Sequence, residues 1–331
     1  MQRWQGLEAV PDGFGPSVVT IGNFDGVHRG HRALLAEVVA AARRRHLPAV
    51  AVTFEPHPVA VLFPERAPAM LTAPDHRLEL LAETGLDAVL VLEFTREFAQ
   101  WSPERFVRTV FAGALRAALV VVGADTRFGH RNSGDVATLR HLGAECGFDV
   151  EIVPEFGRKP GSGSGPGDGA ARRWSSSWVR ELLAEGEVAR AAEVLGRPHR
   201  VTGVVVHGDH RGRDLGYPTA NLSRDALGQV PADGVYAGRL VRPELPPDAP
   251  DAVLPAAVSV GTNPTFDGLE RRVEAYVLDR TDLDLYGERL AVEFVERLRP
   301  TLRFDGVDAL VAQMALDVAR CRELLGVPAR S

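Results

Sequence analysis

The first 150 residues alternate short apolar runs with longer stretches in which apolar residues recur every three or four positions. The short runs are bounded by turn residues and predict buried strands at Ser17–Ile21, Ala49–Thr53, Ala88–Leu92, Leu119–Gly123 and Asp149–Val153. The longer stretches predict amphipathic helices at His31–Arg45, His76–Glu83, Pro103–Ala114 and Asp135–Glu145. This alternation predicts an α/β fold with a mostly parallel sheet, whose ligands gather beyond the carboxyl ends of the strands.

The pattern changes in the second half of the chain. Gly157–Gly169 is rich in glycine, serine and proline, which predicts a linker or mobile loop. Ser175–Gly196 predicts two short helices broken near Gly186. From Arg200 onward, short strands between Gly, Pro and Asp turns predict a small antiparallel barrel or sandwich, closed by a helix at Phe304–Leu325. We therefore predict two domains, residues 1–185 and 186–331.

Composition narrows the classes of partner. The 331 residues carry a net charge of −6 and no obvious basic patch, so neither nucleic acid nor a membrane surface is an expected partner. No run of about 18 apolar residues appears, and the first residues lack an apolar leader. The two cysteines are far apart, which argues against a disulfide framework. We expect a cytoplasmic protein with small-molecule partners, for which a homo-oligomer is compatible with the sequence.

The stretch TIGNFDGVHRGHRALL, residues 20–35, places His28 and His31 where the first strand gives way to the first helix. Gly26 and Gly30 allow close backbone approach, and the helix N-terminus supplies partial positive charge, so the turn suits an anion. Imidazoles there can donate to phosphoryl oxygens and offset charge that develops on a leaving pyrophosphate. A polar turn that satisfies backbone groups is an alternative, and so is a zinc site with Asp25 as third ligand.

The segment GNFDGVHRGH resembles the nucleotide-binding signature of nucleotidyltransferases with a His-x-Gly-His motif, which have a Rossmann-like fold. Their second signature, a Ser/Thr-rich turn followed by a basic residue, resembles Ser175-Ser176-Ser177-Trp178-Val179-Arg180. The resemblance implies that His28, His31 and Arg180 are catalytic, with Arg180 on the outgoing pyrophosphate. It also implies ATP or phosphate contacts at Gly22, Phe24, Asp25, Gly30, Ser175, Ser176 and Ser177.

Two further segments narrow this resemblance to one family. VVVGADTRFGHRNSGD, residues 120–135, and VTFEPHP, residues 52–58, resemble segments of the bacterial bifunctional riboflavin kinase and FAD synthetase family. The resemblance implies flavin contacts at Asp125 and Phe128. The chain departs from the family pattern at Thr126, where an aromatic residue is usual.

The segment GRDLGYPTANL, residues 212–222, reads on its own as a hairpin connection. Thr219 and Asn221 alternate with their neighbours, so in an extended strand both side chains would face one way and could help to hold Mg²⁺. The segment resembles the Pro-Thr-Ala-Asn motif of riboflavin kinases. The phosphate-binding glycines of this domain are predicted at Gly208, Gly212 and Gly216.

Glu274 lies in the strand RRVEAYVLD, where a lone glutamate is usually solvated. The family resemblance implies instead that it is the base for the riboflavin 5′-hydroxyl. A positioned carboxylate and a metal are what an alcohol needs to attack a γ-phosphate.

The resemblance as a whole implies an enzyme with a Rossmann-like nucleotidyltransferase domain and a riboflavin-kinase-type β-barrel. The second domain would phosphorylate riboflavin with Mg-ATP, and the first would adenylylate the resulting FMN to FAD with release of pyrophosphate. Two alternatives remain at this point. One is a nucleotidyltransferase for another substrate with a non-catalytic barrel, and the other is a flavin-binding carrier or regulator.

Overall fold

The computed structural model describes residues 1–158, 172–207, 216–265 and 268–328. Its contacts divide the chain into two compact units. The first comprises Met1–Pro68 and Pro74–Ser175, and the second comprises Ala69–Ala73 and Ser176–Ser331.

A parallel sheet forms the centre of the first unit. Within the described residues it has six strands, β1 (Gln2–Gln5), β2 (Ser17–Ile21), β3 (Ala49–Glu55), β4 (Ala88–Glu93), β5 (Ala117–Gly123) and β6 (Asp149–Val153). Their order is β1-β4-β3-β2-β5-β6, and every pairing is parallel. Strands β2 to β6 match the predicted runs to within two residues at each end. The sequence pattern missed β1, because Trp4 is its one buried residue.

Helices cover both faces of this sheet, which confirms the predicted α/β class. They are α1 (Arg29–Arg45), α2 (Pro58–Leu62), α3 (Pro74–Ala82), α4 (Pro103–Phe106) and α5 (Val136–Cys146). Helix α4 continues as a π-helix over Val107–Ala114, so the predicted helix has the expected extent but changes its hydrogen-bonding pattern part-way. Buried apolar clusters lie on each face, one around Val52 and Val120 and the other around Val18 and Val121.

The strand order creates a crevice beside β2. The chain runs outward from β2 to β3 and β4, then crosses back to β5 on the other side of β2. In open α/β sheets this reversal leaves space for a ligand at the carboxyl ends of the two central strands. The turn after β2 and the residues after β5 therefore lie where binding is expected.

A two-stranded ribbon, β7 (Gly157–Arg158) and β8 (Arg172–Arg173), comes after the sheet. The predicted linker or mobile loop falls mostly on residues 159–169, which lie outside the described residues.

The second unit is built around a closed antiparallel barrel rather than a sandwich. Its elements are α6 (Ser176–Glu185), α7 (Val188–Leu195), β9 (His199–Val206), β10 (Thr219–Leu222), β11 (Gly234–Val241), β12 (Val253–Thr265), β13 (Gly268–Val277), β14 (Arg289–Arg299) and α8 (Val307–Leu325). The strands close in the order β10-β13-β12-β11-β14-β9, and β9 pairs with β10.

Helix α8 packs on the barrel as the predicted closing helix. Buried Cys321 belongs to one apolar cluster with Ala237 of β11, and the guanidinium of Arg299 binds both carboxylate oxygens of buried Asp317. No helix in the described residues combines the length and the hydropathy needed to cross a bilayer.

Candidate active sites

The turn between β2 and α1 holds the first candidate site. Phe24, Gly26 and Val27 adopt φ angles of 49°, 81° and 36°. These left-handed conformations reverse the chain tightly, and a side chain at Gly26 would be strained there. Asp25 and His28 are buried within the turn.

In the described residues no group of three His, Cys, Asp or Glu side chains comes together as a metal site, so the zinc alternative gains no support.

The two histidines form a stacked pair at the start of α1. Their ring centroids lie 3.6 Å apart with an interplanar angle of 20°, and the edge of Phe24 packs against His31. His28 is the N-cap of the helix, because its Nδ1 accepts a hydrogen bond from the His31 backbone amide at 3.3 Å. An accepting Nδ1 carries no proton, so a neutral His28 donates through Nε2. Buried Nδ1 of His31 has no hydrogen-bond partner in the described part of the chain.

The backbone at Gly30 passes close to the His28 ring and to the Trp174 carbonyl group. A Cβ at Gly30 would lie 3.1 Å from the His28 ring and 3.2 Å from the Trp174 carbonyl oxygen. Ser175, the first residue of the predicted serine turn, belongs to the first unit. Because it directly follows Trp174, whose carbonyl lies close to Gly30, it lies beside the start of α1.

The pKa of His31 is lowered well below its usual value, first by burial and then by electrostatic interaction with His28 and with Arg173. Nη1 of Arg173 donates to Oδ2 of Asp125 at 2.6 Å and to Oε1 of Glu155 at 3.0 Å. The bond from Arg173 also lowers the pKa of Asp125. Arg173 therefore links the carboxylate after β5 with the electrostatics of the imidazole pair, a role that no sequence motif indicated.

We expect the His31 imidazole to titrate below about 6.5, the usual histidine value, when monitored by NMR of the ring protons. Since the unfolded chain binds this proton more readily, the free energy of unfolding rises with pH between the lowered pKa and about 6.5, and its His31 contribution is constant above. Arg173→Ala should raise the pKa of His31, whereas Arg45→Ala, which removes an exposed ion pair with Asp149, should leave it in place. A titration of wild-type His31 at or above 6.5 would contradict this.

The other predicted residues of this site belong to helix α6 or to the aromatic core of the first unit. Ser176, Ser177 and Arg180 belong to α6 in the second unit, where Nε of Arg180 donates to the Ala69 carbonyl oxygen at 3.0 Å. Their phosphate contacts stay predictions. Phe128 is 6% exposed and packs against the ring of Phe106, so its burial does not favour stacking of its ring on a flavin.

The barrel holds the second candidate site, where three predicted residues meet. Asn221 of β10 lies directly opposite Glu274 of β13. Oγ1 of Thr219 lies 3.5 Å from Oε2 of Glu274, and Nδ2 of Asn221 donates to Oγ1 of Thr219 at 3.2 Å. Thr219 and Asn221 therefore face the same side of β10, as their alternation predicted.

The Oδ1 atom of Asn221 is buried without a hydrogen-bond partner in the described residues. A buried amide oxygen that makes no hydrogen bond is costly to the fold, so a ligand for it is expected. The hydroxyl of Thr219 and the amide oxygen of Asn221 are neutral oxygen donors that suit a hard divalent cation.

A cavity of about 390 Å³ opens beside these strands. Its lining includes Gly216, Thr219 and, from the segment after β13, Arg280 and Tyr286. Gly216 has a φ of 86° at the entry to β10. The other two predicted phosphate-binding glycines, Gly208 and Gly212, lie outside the described residues.

These features define a two-unit enzyme that transfers phosphoryl and nucleotidyl groups, with a histidine turn on a parallel sheet and a carboxylate in a barrel. The FAD synthetase family model matches residues 12–164, and the riboflavin kinase family model matches residues 195–325. The chain belongs to the family of bifunctional riboflavin kinases and FMN adenylyltransferases.

Curated relatives support this assignment over nearly the full chain, and one solved structure shares its fold. The bifunctional riboflavin kinase/FMN adenylyltransferase of Escherichia coli K12 is 39% identical and covers 94% of this chain and 93% of its own length. The protein of the same name from Pseudomonas fluorescens is 36% identical, with 98% of both chains covered. A crystal structure described as a macrolide-efflux protein from Streptococcus pneumoniae matches with a TM-score of 0.81 and 32% identity, covering 97% of this chain and 99% of that one.

The family, the fold class and the pair of enzymatic activities predicted from the sequence are thereby confirmed. A barrel without catalysis and a flavin carrier are not favoured, because both family models match in one chain.

Proposed function

We propose that each reaction has its own site, with adenylyl transfer in residues 1–185 and phosphorylation in residues 186–331. In the phosphorylation, the 5′-hydroxyl of riboflavin attacks the γ-phosphate of ATP to give FMN and ADP. In the adenylyl transfer, the FMN phosphate attacks the α-phosphate of a second ATP to give FAD and pyrophosphate. Alignment and charge neutralisation supply most of the acceleration in such transfers.

Glu274 is the general base of the phosphorylation. Its carboxylate is half-buried and lies beside Thr219, so it is oriented yet open to a substrate hydroxyl. The orphaned Oδ1 of Asn221 and the hydroxyl of Thr219 fit Mg²⁺, which when bound would neutralise charge on the phosphate oxygens of ATP. Gly216 gives the phosphates access to the backbone at the entry to β10, and phosphate contacts at Gly208 and Gly212 stay predictions.

Asn221→Ala should raise the Mg²⁺ concentration needed for half-maximal riboflavin phosphorylation by about tenfold or more, because one oxygen ligand is removed. Adenylylation of supplied FMN by the same variant should keep its Mg²⁺ dependence. The matched control is Thr202→Val on the neighbouring strand β9. An unchanged Mg²⁺ requirement in Asn221→Ala would rule out this ligand.

His28 and His31 stabilise the charge that develops during adenylyl transfer. The unsatisfied Nδ1 of His31 and the Nε2 proton of His28 are the groups offered to the phosphates. The serine turn and Arg180 bind the outgoing pyrophosphate. The remaining ATP contacts are at Gly22, Phe24, Asp25 and Gly30, and those to the flavin are at Asp125 and, without ring stacking, at Phe128.

One observation supports the division of labour most strongly. Thr219, Asn221 and Glu274 meet on two barrel strands separated by some 50 residues of sequence, while the imidazole pair lies at the start of α1 in the other unit. The test is incubation with riboflavin, Mg²⁺ and ATP, with FMN and FAD separated by chromatography. Appearance of FMN before FAD is the expected course, and failure to form either product would refute the proposal. A cytoplasmic location and a homo-oligomer stay predictions.

A further inference from the structure

Arg77 of α3 is a fully buried arginine that has no part in the proposed catalytic roles. Its side chain is 1% exposed. Nη1 donates to the Asn23 carbonyl oxygen at 3.3 Å, and Nη2 donates to the Phe54 carbonyl oxygen at 3.2 Å and to Oε2 of Glu55 at 2.6 Å. Burying a guanidinium is costly unless it is paired, so this position calls for a specific reason.

The three acceptors mark the place where β2 and β3 separate. The strands pair in parallel as far as Ile21 opposite Val52, and the Gly22 amide donates to the Val52 carbonyl oxygen at 3.0 Å. Beyond Gly22 the chain leaves the sheet, whereas β3 continues to Glu55 against β4. Carbonyls two residues apart on a strand point the same way, so that of Phe54 faces the space that β2 has vacated.

The guanidinium of Arg77 fills that space. It donates to the Phe54 carbonyl oxygen the hydrogen bond that a continuing β2 strand would have supplied. It also donates a hydrogen bond to the Asn23 carbonyl oxygen. The hydroxyl of buried Thr53 donates to the same Asn23 oxygen at 3.2 Å. The first residue of the turn is thereby held from two sides.

The turn residues after Asn23 need such support. Phe24 and Val27 have positive φ angles, and non-glycine residues keep this conformation only where their surroundings enforce it. The turn ends at His28, the N-cap that stacks on His31. The Asn23 side chain also lies 3.3 Å from Nε2 of His57, so the same residue connects the turn to the start of α2.

We propose that Arg77 is a positioning residue for adenylyl transfer, which fixes the Asn23 end of the turn and thereby the place of the imidazole pair. The proposal rests on the proposed role of His28 and His31. Arg77 itself contacts neither substrate.

The test compares Arg77→Met and Arg77→Lys with the wild-type chain. Displacing reacting groups by about 1 Å costs on the order of a hundredfold in rate, so kcat for conversion of FMN to FAD should fall at least about tenfold in both variants. KM for ATP should change far less, because contacts common to ground and transition states remain. Lysine keeps the positive charge but has a single ammonium group in place of the planar guanidinium. Arg77→Lys should therefore lose less thermal stability than Arg77→Met, while its kcat stays low.

Riboflavin phosphorylation by the same molecules is the internal control and should stay at the wild-type rate. Arg45→Met, which removes an exposed ion pair with Asp149 elsewhere in the unit, is the matched substitution and should leave both reactions unchanged. A purely structural Arg77 would lower the melting temperature but leave kcat per folded molecule at the wild-type value, and that result would overturn the proposal.

If neither Arg77 variant folds, Glu55→Ala and Thr53→Val provide the test, since each removes one hydrogen bond of the same cluster. Lowered kcat in these variants supports the proposal, and wild-type kcat in both refutes it. His28→Asn separates this proposal from the function on which it rests. If His28→Asn is impaired while folded Arg77 variants are not, the role of Arg77 alone fails. If His28→Asn converts FMN normally, the site assignment itself fails.

Discussion

Replacement of Glu274 by glutamine is expected to lower riboflavin phosphorylation by about 10²–10⁴-fold, the usual contribution of a general base. Glutamine keeps the shape of the side chain and its place beside Thr219, but it cannot take the proton of the 5′-hydroxyl. Conversion of supplied FMN to FAD should continue at the wild-type rate, since that reaction is assigned to the other unit. Chromatography of both products from one incubation measures the two rates together.

Glu296→Gln provides the control for this substitution. Glu296 is an exposed glutamate on β14 of the same barrel, opposite Ala237 of β11. Its replacement should change neither reaction. A Glu274→Gln enzyme that phosphorylates riboflavin at the wild-type rate would show that Glu274 is only a solvated strand residue. Loss of both reactions in well-folded protein would show that they do not belong to separate sites.

Substitution of the imidazole pair is expected to have the opposite outcome, in which FMN accumulates and FAD does not form. Removing one preorganised donor from a site where charge develops typically costs about 10²–10³ in rate. His28→Asn is a more specific test than His28→Ala, because asparagine can still cap α1. Loss of the cap in the alanine variant would cost about 1 kcal/mol of stability. His31→Ala removes the second imidazole and leaves the His28 side chain free to cap.

His141→Ala is the matched control for the histidines, because His141 is an exposed residue of α5. The riboflavin phosphorylation rate of all three variants should equal that of the wild type. Normal FAD formation by both His28→Asn and His31→Ala would remove the histidines from the mechanism and favour their interpretation as a polar turn.

Local pattern was enough to predict most of the sheet, because central parallel strands are buried on both faces and read as continuous apolar runs. Strand β1 was not predicted, because its residues Gln2, Arg3 and Gln5 are exposed. Its pairing with β4 also joins residues more than 80 positions apart in the sequence. The choice between barrel and sandwich also depended on long-range pairing, namely the closing contact of β9 with β10. Periodicity within one segment carries no information about such partners.

Site residues could be predicted where they stand together in one short motif. They could not be predicted where the contact joins residues far apart in the sequence. His28 and His31 stand in one short motif, and Thr219 and Asn221 in another. Glu274 was found through family resemblance, since its meeting with Asn221 depends on strand register. Arg77 and Arg173 carried no local signal, because an arginine in a helix or a ribbon is expected at the surface, and its acceptors come from distant parts of the sequence.

Closure of the barrel has a consequence for the behaviour of the protein at high concentration. Among the described residues the six barrel strands leave no free edge to which another chain could add. The sheet of the first unit does end in two edges, β1 and β6. Strand β1 is only four residues long and exposes polar side chains, and β6 begins at Asp149, which is exposed and bound to Arg45. Short, charged edges of this kind discourage intermolecular strand addition, so the fold is guarded against amyloid-like aggregation at the places where such growth would begin.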